Sequence, residues 1–263
     1  MCVDCGCEHD ARLRTPAAMA AQGGVPRVKT TRRVSVEVGV LAKNDALAAK
    51  NRARLASRGV LALNLLSSPG AGKTTLLERT IKDVGAELGI TVIEGDQATD
   101  NDAQRIRAAG CRAVQINTGT GCHLDAEMVA RGLDELDPAA GSTLLIENVG
   151  NLVCPALFDL GEQTKVVVAS VTDGEDKPLK YPHMFRAAGV IVLNKIDLLP
   201  HLTFDVARFL ECARRVNATA PVLQLSATRG AGTAGLEAWY DWLRAEASRA
   251  RAAPSVVNGG DVA

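Results

Sequence analysis

Apolar and polar positions change rhythm several times along the 263-residue chain. From residue 60 onward, short apolar runs recur near 60–66, 90–94, 112–117, 142–147, 164–171, 189–194 and 221–226. Val, Ile and Leu dominate them, and each has the length of a strand rather than of a helix. Most are separated by stretches with helix-favouring patterns, near 74–88, 100–109, 124–136, 178–187 and 203–216, and a last one runs near 233–250. Continuous apolar strands alternating with helices predict an α/β fold: a mostly parallel sheet with helices on both faces. In such a sheet the ligand lies beyond the carboxyl ends of the strands.

Upstream the pattern differs. Val34, Val36, Val38 and Val40 alternate with other residues, which predicts a brief strand. Asn44 or Asp45 then caps a helix running to about Ser57, with Gly59 stopping it. Residues 9–32 show no period and contain Gly23-Gly24-Val25-Pro26, so they read as a flexible linker. The expected organisation is a Cys-rich motif over 1–8, the linker over 9–32, one domain over 33–252 and a disordered tail over 253–263.

Charge narrows the function classes. Thirty basic residues balance thirty acidic ones, which argues against a general nucleic-acid or membrane-surface binder. No apolar run is long enough to span a bilayer, and the start lacks a secretory signal, so a cytoplasmic protein is expected. Aromatics make up only 3%, leaving the core to aliphatic side chains. Seven cysteines, an odd and clustered set, point in a reducing compartment to metal or redox chemistry rather than disulfides.

The run Ser67-Ser68-Pro69-Gly70-Ala71-Gly72-Lys73-Thr74, followed by Thr75, sits between a predicted strand and a predicted helix. That is the context of a phosphate-binding P-loop, with Ser67 where the first glycine usually stands. Backbone N–H groups of Gly70, Ala71 and Gly72 and the positive end of the helix cradle phosphates. Lys73 supplies charge to the β- and γ-phosphates, and Thr74 a hydroxyl to Mg2+. Glu147 ends a buried strand and Gly150 follows three residues later, the pattern of a Walker-B and switch II element. Asp96, after the second strand, is either a further water-mediated Mg2+ contact in switch I or a cap on the next helix.

Asn194-Lys195-Ile196-Asp197 follows another strand and reads guanine: Asp197 accepts from the base, Asn194 meets its other edge, and the Lys195 stem lies along it. Ser226 and Ala227 offer backbone N–H groups to the guanine oxygen. In this order behind a P-loop the motif specifies GTP. Switch II has no Gln to orient water, which predicts slow intrinsic hydrolysis.

Two metal constellations stand out. Cys2, Cys5 and Cys7 place three thiols in six residues, fit for one soft cation, with a redox pair or incidental thiols as alternatives. Cys122 and His123 follow the third strand, and Cys154 lies four residues beyond Gly150; all three can meet at one edge of the sheet. Gly150 and Cys154 share a short loop, so nucleotide and metal binding are expected to be coupled. Cys111 and Cys212 read as packing residues, His9 as at most an accessory to the first site, and His183 and His201 as surface loop histidines.

The N-terminal cysteines, the P-loop, Glu94-Gly95-Asp96, Gly121-Cys122-His123-Leu124-Asp125, Glu147 to Pro155 and Asn194 to Asp197 together resemble the HypB family of nickel-incorporation GTPases in [NiFe]-hydrogenase maturation. The likeness spans about 42–242 plus the first seven residues; the histidine-rich tract of some members is lacking. It implies a P-loop GTPase with nickel at Cys2, Cys5 and Cys7, where three thiolates and the terminal amine would suit square-planar Ni(II) and ligation by the amine stays open, and zinc or nickel at Cys122, His123 and Cys154. It also implies a nucleotide- and metal-promoted homodimer that passes nickel to the hydrogenase large-subunit precursor with a second nickel accessory protein. An accessory GTPase for another nickel enzyme such as urease, a P-loop small-molecule kinase, and a metal-storage module are the competing readings.

Overall fold

The computed structural model describes residues 30–96, 101–119, 121–230 and 232–253. The expected cysteine motif at 1–8, most of the linker and the tail beyond Ala253 lie outside them. Seven parallel strands form one sheet in the order β3-β2-β4-β1-β5-β6-β7. They are β1 (Leu61–Ser67), β2 (Ile90–Asp96), β3 (Arg112–Asn117), β4 (Thr143–Glu147), β5 (Thr164–Ser170), β6 (Ala188–Asn194) and β7 (Val222–Gln224). All seven lie where the apolar runs predict; the inner strands are buried on both faces between helix layers and need no polar alternation, whereas the edge strands β3 and β7 are partly exposed.

The alternation of Cβ directions sorts β1, with Val60 before it, between the two faces of the sheet and so among three clusters of the core. Leu61, Leu63 and Leu65 face α2 (Lys73–Leu88), α3 (Asn101–Ala108) and α9 (Ala234–Ala252), where Trp239 donates its indole N–H to Thr80 Oγ1 at 2.9 Å. On the opposite face, Val60 and Ala62 pack with α1 (Thr30–Ser57) and α4 (Ala126–Leu136). Leu66 packs with α7 (Pro182–Ala187) and α8 (Val206–Val216). Short helices α5 (Cys154–Leu157) and α6 (Lys177–Lys180) and a 3-10 turn (Ile196–His201) complete the described elements.

The brief strand expected over Val34–Val40 is not one: α1 runs unbroken from Thr30 to Ser57. The valine alternation misleads because valine costs a helix only several tenths of a kcal/mol per residue. An extended segment without a strand neighbour would leave its backbone groups unpaired, whereas a helix satisfies them internally. The expected cap at Asn44 or Asp45 fails for the same reason. Asn44 lies inside α1, where its amide donates to the Asp159 carbonyl at 2.8 Å and accepts from the Ala126 N–H at 2.9 Å. Gly59 does end the element, at φ 62. His183 and His201 are exposed as expected, but on α7 and the 3-10 turn rather than in loops.

β1 is the hinge of the topology: the chain leaves it for β2 beyond β4, and later returns on its other side at β5. The crevice at this switch point opens above the carboxyl ends of β1 and β4, as the doubly wound rule requires.

Candidate functional site

Residues Ser67 to Thr75 turn out of β1 into α2 and line a cavity of about 490 Å³ together with Asp102, Arg105, Gly150 and Lys195. Gly72 holds φ 92 at the N-terminus of α2, and a Cβ there would lie 2.6 Å from the Asn194 amide. Only glycine fits both constraints. Lys73 Nζ and Thr74 Oγ1 both donate to Glu147 Oε1, at 2.8 and 2.6 Å. The sheet places this acid: Glu147 ends β4, whose residues run level with β1 from Leu61 to Leu65.

Glu147 is 1% exposed, and its second oxygen Oε2 has no hydrogen-bond partner. A buried carboxylate oxygen without a donor is costly unless something positive or hydrated approaches it. Mg2+ fits that vacancy of partners, with Thr74 and Glu147 as the residues that would hold it. Asp102 Oδ2 also accepts from Thr74 Oγ1 at 3.2 Å, and Arg105 links Asp102 Oδ1 to Glu78. Sequence reasoning passed over both Asp102 and Arg105, since nothing in a polar helix start announces which sheet end it will reach.

Glu94 was likewise overlooked as a site residue. It is the register partner of Glu147 on β2, is 2% exposed, and leaves Oε2 unpartnered. Burial, then the charges of Glu147 and Asp96, push its carboxyl up to about 8, so it is mostly protonated at neutral pH. Its signal was present: a single acid inside an otherwise apolar strand. Asp96 ends β2 two residues beyond Glu94, where its charge helps to raise the Glu94 carboxyl; residues 97–100, which follow it, lie outside the described set.

At the guanine end, Asn194 has partners within the protein that its motif does not announce. Its amide donates to the Ala71 carbonyl at 3.0 Å and accepts from the Ala227 N–H at 3.1 Å. It therefore ties the P-loop to the loop after β7, using the oxygen and one of the two N–H donors of its amide. Lys195, at φ 63, donates to the Gly70 carbonyl at 2.6 Å. Asp197 accepts from Ser226 Oγ, leaving its second oxygen available for a base.

The second cluster is assembled as the sequence predicts. The Cys122 and Cys154 sulfurs and a His123 ring nitrogen lie within 4.8 Å of one another. Donors that close can reach one ion through bonds of about 2.0–2.3 Å. β3 and β4 are separated by β2, so the loop after β3 must cross the end of β2 to bring this about. It does so on Leu124, whose side chain sits over Gly95; a Cβ on Gly95 would lie 2.7 Å from Leu124 Cγ. Thr118 N–H binds the Asp96 carbonyl at 2.9 Å and Asp125 caps α4 by accepting from Met128 N–H. His123 packs on Phe158 with ring centroids 3.9 Å apart, and its burial lowers its pKa, keeping the imidazole neutral with a lone pair to give. Cys154 is buried at the start of α5 on the loop that leads from Gly150. Cys212 is buried in the core, and Cys111, its thiol pushed up to about 11 by burial, is a packing residue.

Residues 61–224 match the family described as "CobW/HypB/UreG, nucleotide-binding domain". The chain is 58% identical over 225 residues to the hydrogenase maturation factor HypB of Rhizobium leguminosarum bv. viciae, covering 86% of this chain and 74% of that one. The chain belongs to the HypB family. Two solved HypB structures share its P-loop GTPase fold. That from Archaeoglobus fulgidus is 42% identical with a TM-score of 0.72, over 79% of this chain and 100% of the other. That from Helicobacter pylori, described as in complex with nickel, is 37% identical with a TM-score of 0.73, over 79% and 96%. Among the described residues, no helix is long and apolar enough to cross a membrane.

Proposed function

We propose that the chain is a GTP-hydrolysing nickel metallochaperone that supplies nickel to the [NiFe]-hydrogenase large-subunit precursor, working with a second nickel accessory protein. The observation that carries the reading is the meeting of Cys122 and His123, on the loop after β3, with Cys154, on the loop that follows Gly150, while Gly150 itself abuts Pro69 of the P-loop. Membership of the HypB family and the nickel complex of the Helicobacter pylori relative support it.

In this reading Asp197 selects guanine, while Asn194 and Lys195 hold the cradle in shape. Lys73 neutralises phosphate charge, and the N–H of Gly150, which abuts Pro69, faces the γ-phosphate. Mg2+, held through Thr74 and Glu147, supplies charge stabilisation to the phosphates. Asp96 orders the switch I side. Hydrolysis is slow because switch II has no Gln to orient water. Loss of the γ-phosphate relaxes the Glu147–Cys154 loop and so alters the metal site, whose ion is zinc or nickel. Three ligands leave a position for a fourth, which a second copy of the chain in a homodimer can fill. Cys2, Cys5 and Cys7 hold the nickel cargo.

The test is metal analysis and oligomer size of the purified protein with GDP and with a non-hydrolysable GTP analogue. Nickel bound in a manner that depends on nucleotide, with a shift to dimer, is expected. Identical metal content and size in both states overturn the coupling, and full maturation of hydrogenase by Lys73→Ala would favour a storage role.

A further inference from the structure

Between the magnesium acid Glu147 and the phosphate-facing Gly150 stands Asn148, a residue that neither the P-loop nor the cysteine motif accounts for. It is 0% exposed, and both polar atoms of its amide are hydrogen-bonded. Oδ1 accepts from the Leu124 N–H at 3.1 Å and from the Val149 N–H at 3.0 Å. Nδ2 donates to Asn64 Oδ1 at 3.3 Å, and Asn64 Nδ2 donates onward to Glu162 Oε1 at 3.2 Å. Glu162 Oε2 accepts from the Leu160 N–H at 2.7 Å, and Lys165 lies 3.5 Å from its other oxygen.

This chain has a fixed direction. A flipped Asn148 amide would turn its NH2 toward two N–H donors and its oxygen toward Asn64 Oδ1, losing every bond at once. In a buried setting each such loss leaves an unpaired group, so the orientation is held. The two N–H groups that Oδ1 grips belong to different loops. Val149 is on the nucleotide loop; Leu124 directly follows His123 and is the side chain on which the metal loop crosses β2. Asn151 Nδ2 adds a weaker link to the Cys122 carbonyl at 3.4 Å.

We propose that Asn148 is a positioning residue that joins the nucleotide loop and the Cys122–His123 pair into one mechanical unit, so that γ-phosphate-driven movement of Val149 and Gly150 displaces the metal ligands. The inference rests on the metal-coupled GTPase reading above and assigns its coupling to one amide. Glu147 is held by the P-loop lysine and threonine, while Asn148 is held by the body of the sheet through Asn64. The loop beyond them therefore pivots at this point, and Leu124 is attached to the pivot.

The test uses the full chain with Cys2→Ala, Cys5→Ala and Cys7→Ala, so that added Zn2+ reports the second site. This parent and its Asn148→Ala variant are titrated with Zn2+ in the GDP and GTP-analogue forms. The parent should show Zn2+ affinities differing at least about fivefold between nucleotides, and the variant a ratio near one. A merely structural role would weaken Zn2+ binding in both forms and leave the ratio intact. An unchanged ratio therefore overturns the role of Asn148 alone; no difference in the parent overturns both this role and the coupled reading. Amide exchange of the metal-free parent stands independently of the variant's folding. The Leu124 and Val149 amides should change protection together when GDP is replaced by the analogue, and a Leu124 amide indifferent to nucleotide overturns the proposal.

Discussion

Replacing Asn194 by Ala separates the two tasks that its motif suggests, reading a base and bracing the cradle. Asn194 is 1% exposed, and its oxygen and one of its amide N–H donors are bonded inside the protein, to the Ala227 N–H and the Ala71 carbonyl. Ala71 and Ala227 are themselves buried. Truncation leaves one donor and one acceptor without partners, at about 1–3 kcal/mol each. The cavity admits water on the P-loop side, which favours the lower half of the range, so the nucleotide-free protein should lose about 2–4 kcal/mol. For a domain of this size that is a fall in melting temperature on the order of 5–15 °C. Urea unfolding of the full chain in EDTA, with and without saturating GDP, measures it. Asp197→Asn is the comparator: its carboxylate is held by one bond from Ser226, so stability without nucleotide should change by less than about 1 kcal/mol while GDP affinity falls. If Asn194→Ala is as stable as the parent without nucleotide and loses only affinity, the amide is a base reader and the strut assignment is wrong.

Three further outcomes follow from the same geometry. Glu94 in the folded chain holds its proton up to about 8, against an ordinary value of 4.5, so the folded state binds more protons than the unfolded chain between those values. Stability of the magnesium-free protein should therefore fall as pH rises from about 4.5 to 8 and level off above, and Glu94→Gln should flatten that slope; an identical slope in the variant would refute it. Gly95→Ala puts a methyl 2.7 Å from Leu124 Cγ, so the metal loop must lift; Zn2+ affinity at Cys122, His123 and Cys154 should drop by about tenfold or more while GDP binding is retained, as isothermal titration can check. Trp239→Phe removes the indole bond to Thr80, whose hydroxyl keeps its own bond to the Leu76 carbonyl; unfolding free energy should fall by about 1–3 kcal/mol with nucleotide affinity unaltered.

Much of this protein is legible before folding. The seven strands and the longer helices α2, α3, α4, α8 and α9 announce themselves through local residue type, the inner strands because burial on both faces demands apolar runs; α5 left no signal, and the helix expected near 178–187 divides into α6 and α7. The P-loop is largely local: the positive φ of Gly72 and the placement of Lys73 and Thr74 behind it belong to one turn, while the Asn194 amide that also bars a Cβ at Gly72 comes from β6. The first helix was misread because alternating valines signal a strand only where a neighbouring strand exists to pair with, and that is a fact about the sheet.

What the tertiary structure alone decides is which distant residues share a place. Cys122, His123 and Cys154 were named from motif spacing, yet their meeting depends on Leu124 crossing β2 over Gly95. Asn194 carries a motif that predicts base contact, but its partners, Ala71 and Ala227, are set by the order of β1, β6 and β7 in the sheet. Glu94 beside Glu147, Asp102 on Thr74 and Asn148 on Leu124 left no motif, because each depends on strand register or on a loop's path. Local sequence states what a residue can donate, accept or bury; parallel pairing of non-consecutive strands decides what stands opposite it.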